Sequence, residues 1–105
     1  RERLADLDEI PAGLFSVIQI CDAPGEIPTE RDEMTRIIRE GRSYLGEGGT
    51  DPAAMLARMP CVTYSIELPN ADAERTLGAE GHARRCLETA RHYLERTLSG
   101  QGRRP

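Results

Sequence analysis

The 105-residue sequence predicts an α/β fold built on two parallel strands, and three observations carry that prediction. Two short β-branched runs, Phe15-Ser-Val-Ile-Gln-Ile-Cys-Asp22 and Cys61-Val-Thr-Tyr-Ser-Ile-Glu-Leu-Pro-Asn70, each end in polar residues before a proline-bearing turn. That is the pattern of a buried parallel strand delivering side chains to a loop. The roughly forty residues between the runs exceed the dozen or so that a parallel crossover requires. An apolar repeat at helical spacing follows the second run. The order makes two βα units, with strands at about 14–21 and 61–68 and helices at about 30–40, 51–59 and 79–98. Two parallel strands alone leave both edges and one face open. The expected setting is a segment of a larger α/β sheet or barrel, completed by more chain or by another copy or fragment.

Each element has its own signal. Leu4, Leu7 and Ile10 recur at helical spacing, and Pro11 and Gly13 turn the chain into the first strand. Alternation then puts Phe15, Val17, Gln19 and Cys21 on one face and Ser16, Ile18 and Ile20 on the other. Both faces are mostly apolar, so both are expected to be covered. Residues 22–28 hold two prolines and a glycine and read as loop. Thr29 caps a helix with Glu30, Asp32 and Glu33 in its first turn and Met34, Ile37 and Ile38 facing inward. Gly41 stops it, and Arg42-Ser-Tyr-Leu-Gly-Glu-Gly-Gly49 is a glycine-rich loop. A second helix starts at Thr50 or Asp51, carries Met55, Leu56 and Met59 inward, and ends at Pro60. Leu68 to Gly78 reads as irregular loop. The last helix turns Ala83, Cys86, Leu87, Ala90, Tyr93, Leu94 and Leu98 inward, with Cys86, Leu87, Ala90 and Leu94 expected against the sheet.

Composition bounds the function. The length suits one unit, residues 1–105. A net charge of −4 disfavours nucleic acid and anionic membrane surfaces, both of which select a basic stripe. All fourteen basic residues are arginine, which excludes Schiff-base chemistry and a P-loop lysine within this chain. Cys21, Cys61 and Cys86 are odd in number, widely spaced and set among apolar residues, as expected of reduced thiols in a cytoplasmic protein. No run of about eighteen apolar residues is present to span a membrane. The start lacks a signal peptide and an initiator methionine, so chain is expected upstream of Arg1.

Side by side, the two strands would bring the Gln19 amide and the Glu67 carboxylate to one rim, where open α/β sheets and barrels keep their chemistry. Three stretches sharpen this: Val17-Ile-Gln-Ile-Cys-Asp-Ala-Pro24, Arg42-Ser-Tyr-Leu-Gly-Glu-Gly48 and Ser65-Ile-Glu-Leu-Pro-Asn70. In these the sequence resembles the sugar phosphate isomerase/epimerase family, whose fold is the xylose isomerase-like TIM barrel and some of whose members are apurinic endonucleases. The resemblance covers nearly the whole chain and implies the last two βα units of a (β/α)8 barrel. It also implies a divalent metal held at the C-terminal rim by side chains from different strands. By position Gln19 stands where the family often has a histidine ligand, and Glu67 where it has a glutamate. Arg42 matches an arginine that contacts substrate in sugar-converting relatives, although Leu45 replaces the proline of the loop after it. The remaining ligands would lie upstream of Arg1.

The implied function is a metal-dependent sugar (phosphate) isomerase or epimerase moving a proton on a small polyol- or ketose-type substrate. Glu67 would be catalytic and a metal ligand, Gln19 a second ligand and Arg42 the substrate-binding cation. Oxygen donors suit Mn²⁺ or Mg²⁺. The alternatives are a metal-dependent lyase or dehydratase on the same barrel, or a non-catalytic fragment that needs a partner segment or forms a homo-oligomer. The chain lacks the basic and aromatic interleaving and the histidines of a multi-zinc endonuclease. At residue level, plain readings compete: Glu67 paired to an arginine such as Arg42, Gln19 a polar core residue, Asp22 a loop cap. Gly46 to Gly49 either present N–H groups to a phosphate or carboxylate, or simply turn the chain. His82 and His92 are expected on the surface, and Tyr44 as a lid.

Overall fold

The computed structural model of the chain describes residues 3–59 and 62–98. Pro60, expected to end the second helix, Cys61, expected to open the second strand, and the tail from Gly100 onward lie outside the described residues. Strand β1 (Val17–Ile20) and strand β2 (Thr63–Ile66) pair in parallel, with Val17 opposite Thr63 and Gln19 opposite Ser65. β1 begins three residues later than its apolar run because Pro11 and Gly13 turn the chain first. Leu14 and Phe15 spend their N–H groups on the Pro11 and Ala12 carbonyls in a 3₁₀ turn, Ala12–Leu14. Beyond the strands the ladder runs one step further at each end, from Thr63 N–H to Ser16 and from Glu67 N–H to Ile20.

Helix α1 (Arg31–Glu40) starts from Glu30 with no side-chain cap, so Thr29 is not the cap. Only Ile37 of its expected stripe is half-buried, while Met34 and Ile38 are exposed. Helix α2 (Ala53–Leu56) is a single turn that tightens through Arg58 and Met59, shorter than the 51–59 expected. It buries Leu56 and Met59 but leaves Met55 exposed. Helix α3 (Ala71–Leu98) begins eight residues before the expected start, inside the stretch read as loop. Asn70 explains the early start: its Oδ1 accepts the Ala73 N–H at 2.9 Å, an N-cap bond. The helix is broken at Gly78, whose φ of 77° and ψ of 169° fall where glycine is favoured. Of its expected inner stripe, Ala90 and Tyr93 are buried, Cys86 and Leu94 are half-buried, and Leu87 is exposed.

The core is Ile20, Leu45, Leu56, Met59, Ala90 and Tyr93, with Ile18, Tyr64, Ile66 and Leu94 packed against it. Of these, Ile18, Ile20, Tyr64 and Ile66 are the even-numbered residues of the two strands, turned toward α2 and α3. The odd-numbered residues face away. Val17 is 60 % exposed, and Gln19 and Thr63 are exposed as well. Among the described residues, then, only the even-numbered face of β1 is covered, as expected of two parallel strands standing alone. None of the described helices is long and apolar enough to cross a membrane.

Candidate functional site

The C-terminal ends of both strands are tied to one short segment. Asp22 and Ser43 form an antiparallel bridge with N···O distances of 3.0 and 2.9 Å, and Gly41 bridges to Asn70. Arg42, between the two bridges, donates its N–H to the Pro69 carbonyl at 3.0 Å. The Asn70 amide returns a bond to the Arg42 carbonyl at 2.8 Å. Gly41 thus ends α1 and also delivers Arg42 to the rim.

The Arg42 side chain lies across both strand ends. Its Nε donates to the Ile38 carbonyl at 2.8 Å and its Nη1 to the Glu67 carbonyl at 3.4 Å, with Cys21 Sγ 3.8 Å away. The same Nη1 is 3.5 Å from Glu67 Oε2. Glu67 is not buried: its side chain is 45 % exposed, and its partner is the arginine. At that exposure the pair adds little to stability, on the order of 0–1 kcal/mol. Gln19, also exposed, lines a cleft with Cys21, Thr50, Asp51 and Met55, whereas Glu67 lines another with Leu68, His82 and Cys86. The two share strand parity, Glu67 lying two positions beyond the residue opposite Gln19. They do not share a cleft. Among the described residues no three His, Cys, Asp or Glu side chains converge as a metal cage. Gln19 and Glu67 carry oxygen donors of the kind that Mg²⁺ or Mn²⁺ takes, but they lie in separate clefts.

Behind the rim lies a polar layer whose partners the sequence did not reveal. Asp22 is 2 % exposed. Its Oδ1 accepts from Ala23 N–H at 2.8 Å, Thr50 N–H at 3.1 Å and Thr50 Oγ1 at 2.6 Å. Its Oδ2 accepts from Gly46 N–H at 3.1 Å and Gly48 N–H at 3.2 Å. Burial pushes this carboxyl up, but the bonds from Thr50, Ala23 and Gly46 outweigh it and hold the group below its ordinary value. Asp22 is a loop cap, and the loop it caps is the glycine-rich one. Close approach explains two glycines there: a Cβ on Gly48 would sit 2.5 Å from Asp22 Oδ1, and one on Gly49 would sit 2.5 Å from Gly25 Cα.

His82, expected on the surface, is buried. Its Nε2 is 2.9 Å from the Leu68 carbonyl and its Nδ1 2.7 Å from the Tyr44 hydroxyl. A carbonyl only accepts, so Nε2 carries a proton. In the neutral ring the tyrosine then donates to Nδ1. Tyr44 is accordingly no lid: it is buried, its hydroxyl faces His82, and burial raises its pKa. The Arg85 guanidinium covers its ring at 5.0 Å and pairs with Glu47 at 2.8 Å. Leu68 follows Glu67, so His82 fixes the segment that carries the candidate ligand. The spacing 82, 86, 90 and 93 on α3 was the available signal, since it places His82 on the same stripe as Cys86, Ala90 and Tyr93. His92 is exposed, as expected.

Tyr93 completes the layer. Its hydroxyl donates to Asp51 Oδ1 at 2.8 Å and accepts the Ala53 N–H at 2.7 Å. Burial, then the bond to Asp51, push its pKa up to about 12. Comparison of the chain with protein-family models, with curated proteins and with solved structures finds no match.

Proposed function

We propose that the chain forms the last two βα units of a metal-dependent sugar (phosphate) isomerase or epimerase barrel, with chemistry at the C-terminal ends of β1 and β2. One observation supports this reading above the rest: Arg42, held between two backbone bridges, reaches both strand ends and the Glu67 carboxylate. Loops at the C-terminal ends of parallel strands are where such barrels place substrate-binding groups. In this reading Glu67 and Gln19 supply oxygen donors to Mn²⁺ or Mg²⁺ from neighbouring strands, and Arg42 orients a small polyol- or ketose-type substrate. A metal held there would supply polarisation of the substrate carbonyl and adjacent hydroxyl. Glu67 then holds or moves a proton. The open face of the sheet, with Val17, Gln19 and Thr63 exposed, fits a barrel interior completed by upstream chain or by another chain. Cys21 and Cys86 are free thiols, consistent with a cytoplasmic protein.

The second reading, a non-catalytic barrel fragment, is favoured by a different observation: Glu67 already has Arg42 as its partner and lines a different cleft from Gln19. Calorimetric titration of Mn²⁺ into the barrel containing this chain separates the two. Under the isomerase reading Glu67→Gln weakens Mn²⁺ binding by at least about 10- to 100-fold. Arg42→Ala leaves metal binding in place and lowers kcat/KM. Mn²⁺ affinity unchanged in Glu67→Gln sinks the isomerase reading and leaves the fragment.

A further inference from the structure

A run of backbone N–H groups that converge on one point is an anion site. The N–H groups of Gly46, Gly48 and Thr50 converge in this way, reinforced by the Thr50 hydroxyl. The point they converge on is occupied by the Asp22 carboxylate, which arrives from the end of β1 and is almost fully buried. Every one of these donors is within 3.2 Å of an Asp22 oxygen. The loop has no room for a second anion, because the backbones of residues 23–25 and 48–49 are in contact, with Gly49 N–H bonded to the Ala23 carbonyl at 2.8 Å. The local charge points the same way. Beside the loop, Arg85 already faces Glu47.

We propose that the Gly46–Thr50 loop is an oxyanion nest whose resident anion is the protein's own Asp22, so that the rim takes an unphosphorylated polyol or ketose rather than its phosphate ester. The second half of this statement rests on the isomerase reading; the first half does not. A glycine-rich loop beside the rim is the natural place for a substrate phosphate. Here its donors are spent within the fold.

The test uses inorganic phosphate and formate as probes, with backbone amide NMR and thermal unfolding on the wild-type chain and on Asp22→Ala. In the wild type the Gly46, Gly48 and Thr50 amide resonances stay fixed as either anion is added. In Asp22→Ala they move saturably with formate, and saturating formate raises the unfolding midpoint by about 4 to 8 °C while leaving the wild type unchanged. Movement of these amides in the wild type on adding inorganic phosphate overturns the substrate assignment. A folded Asp22→Ala that responds to neither anion overturns the nest, as does an unfolded one that formate does not restore. None of these readouts depends on Mn²⁺, so loss of the isomerase reading in the Glu67→Gln titration leaves the nest to be decided on its own.

Discussion

The two faces of the β1–β2 pair share one backbone and have opposite surroundings. On the covered face Ile18, Ile20, Tyr64 and Ile66 meet Leu56, Ala90 and Tyr93, and the polar groups buried around them are committed to each other. Asp22 holds the glycine loop, His82 holds Tyr44 and Leu68, and Tyr93 holds Asp51 and Ala53. Tyr64 is the exception among the described residues, its buried hydroxyl having no partner. On the open face Val17, Gln19 and Thr63 meet nothing of the sort, and Glu67 at the rim is half in water. A buried polar group already saturated by the fold has no capacity left for a ligand. Candidate chemistry therefore belongs with the open face, and stability with the covered one.

The largest test of this division is Leu56→Ala. Leu56 is 1 % exposed at the centre of the core, so its truncation is expected to cost about 2–5 kcal/mol in chemical denaturation. A loss below 1 kcal/mol would break the comparison at its stronger end. Asp22→Asn comes next. It keeps the shape but turns an NH₂ toward N–H donors, at a cost of about 1–3 kcal/mol.

The same residue gives a pH dependence whose sign follows from its depressed pKa. The fold favours the ionised carboxylate, so the contribution is complete above the ordinary value of 3.8 and disappears as pH falls through the lower folded-state value. Unfolding midpoints from pH 7 downward are expected to show the wild type losing its advantage over Asp22→Asn in that acid range. An advantage that persists at the lowest pH would mean that charge is not what the loop recognises.

The smallest effects belong to exposed positions. Val17→Ser and Leu87→Ala are each expected to change stability by less than about 0.5 kcal/mol in the isolated chain, as at other exposed sites. A larger loss at Val17 would show that something covers that face in solution.

Local signals made part of this legible. The two β-branched runs, the Gly41 stop and the buried Leu56 and Ala90 could be read from spacing, because each depends on neighbours within a turn or two. Most of the failures were non-local. Nothing near Asp22 in sequence announces that all its donors but Ala23 are more than twenty residues away. His82 looked like surface because its partners, Tyr44 and Leu68, come from other elements. The start of α3 was missed because Asn70 follows a proline and precedes a weakly apolar stretch, which hid the cap. For the candidate site, Arg42 reaching Glu67 was anticipated as the plain reading of that carboxylate. Whether Gln19 and Glu67 serve one metal depends on groups beyond these two strands, and no pattern within the chain encodes those.

The parallel register of β1 and β2 also bears on how the chain folds. Val17 and Thr63 pair across 46 residues, with no hairpin to bring the strands together first. Closing a loop of that length costs roughly 3 kcal/mol of chain entropy before a single ladder bond is made. Helical turns form in well under a millisecond and need no such closure. The sheet is thus expected to assemble after α3 has offered Ala90 and Tyr93 as a surface to condense on, and contact order rather than helix propensity should limit the rate. Substitutions that weaken the long-range contact between that helical surface and the strands should slow refolding.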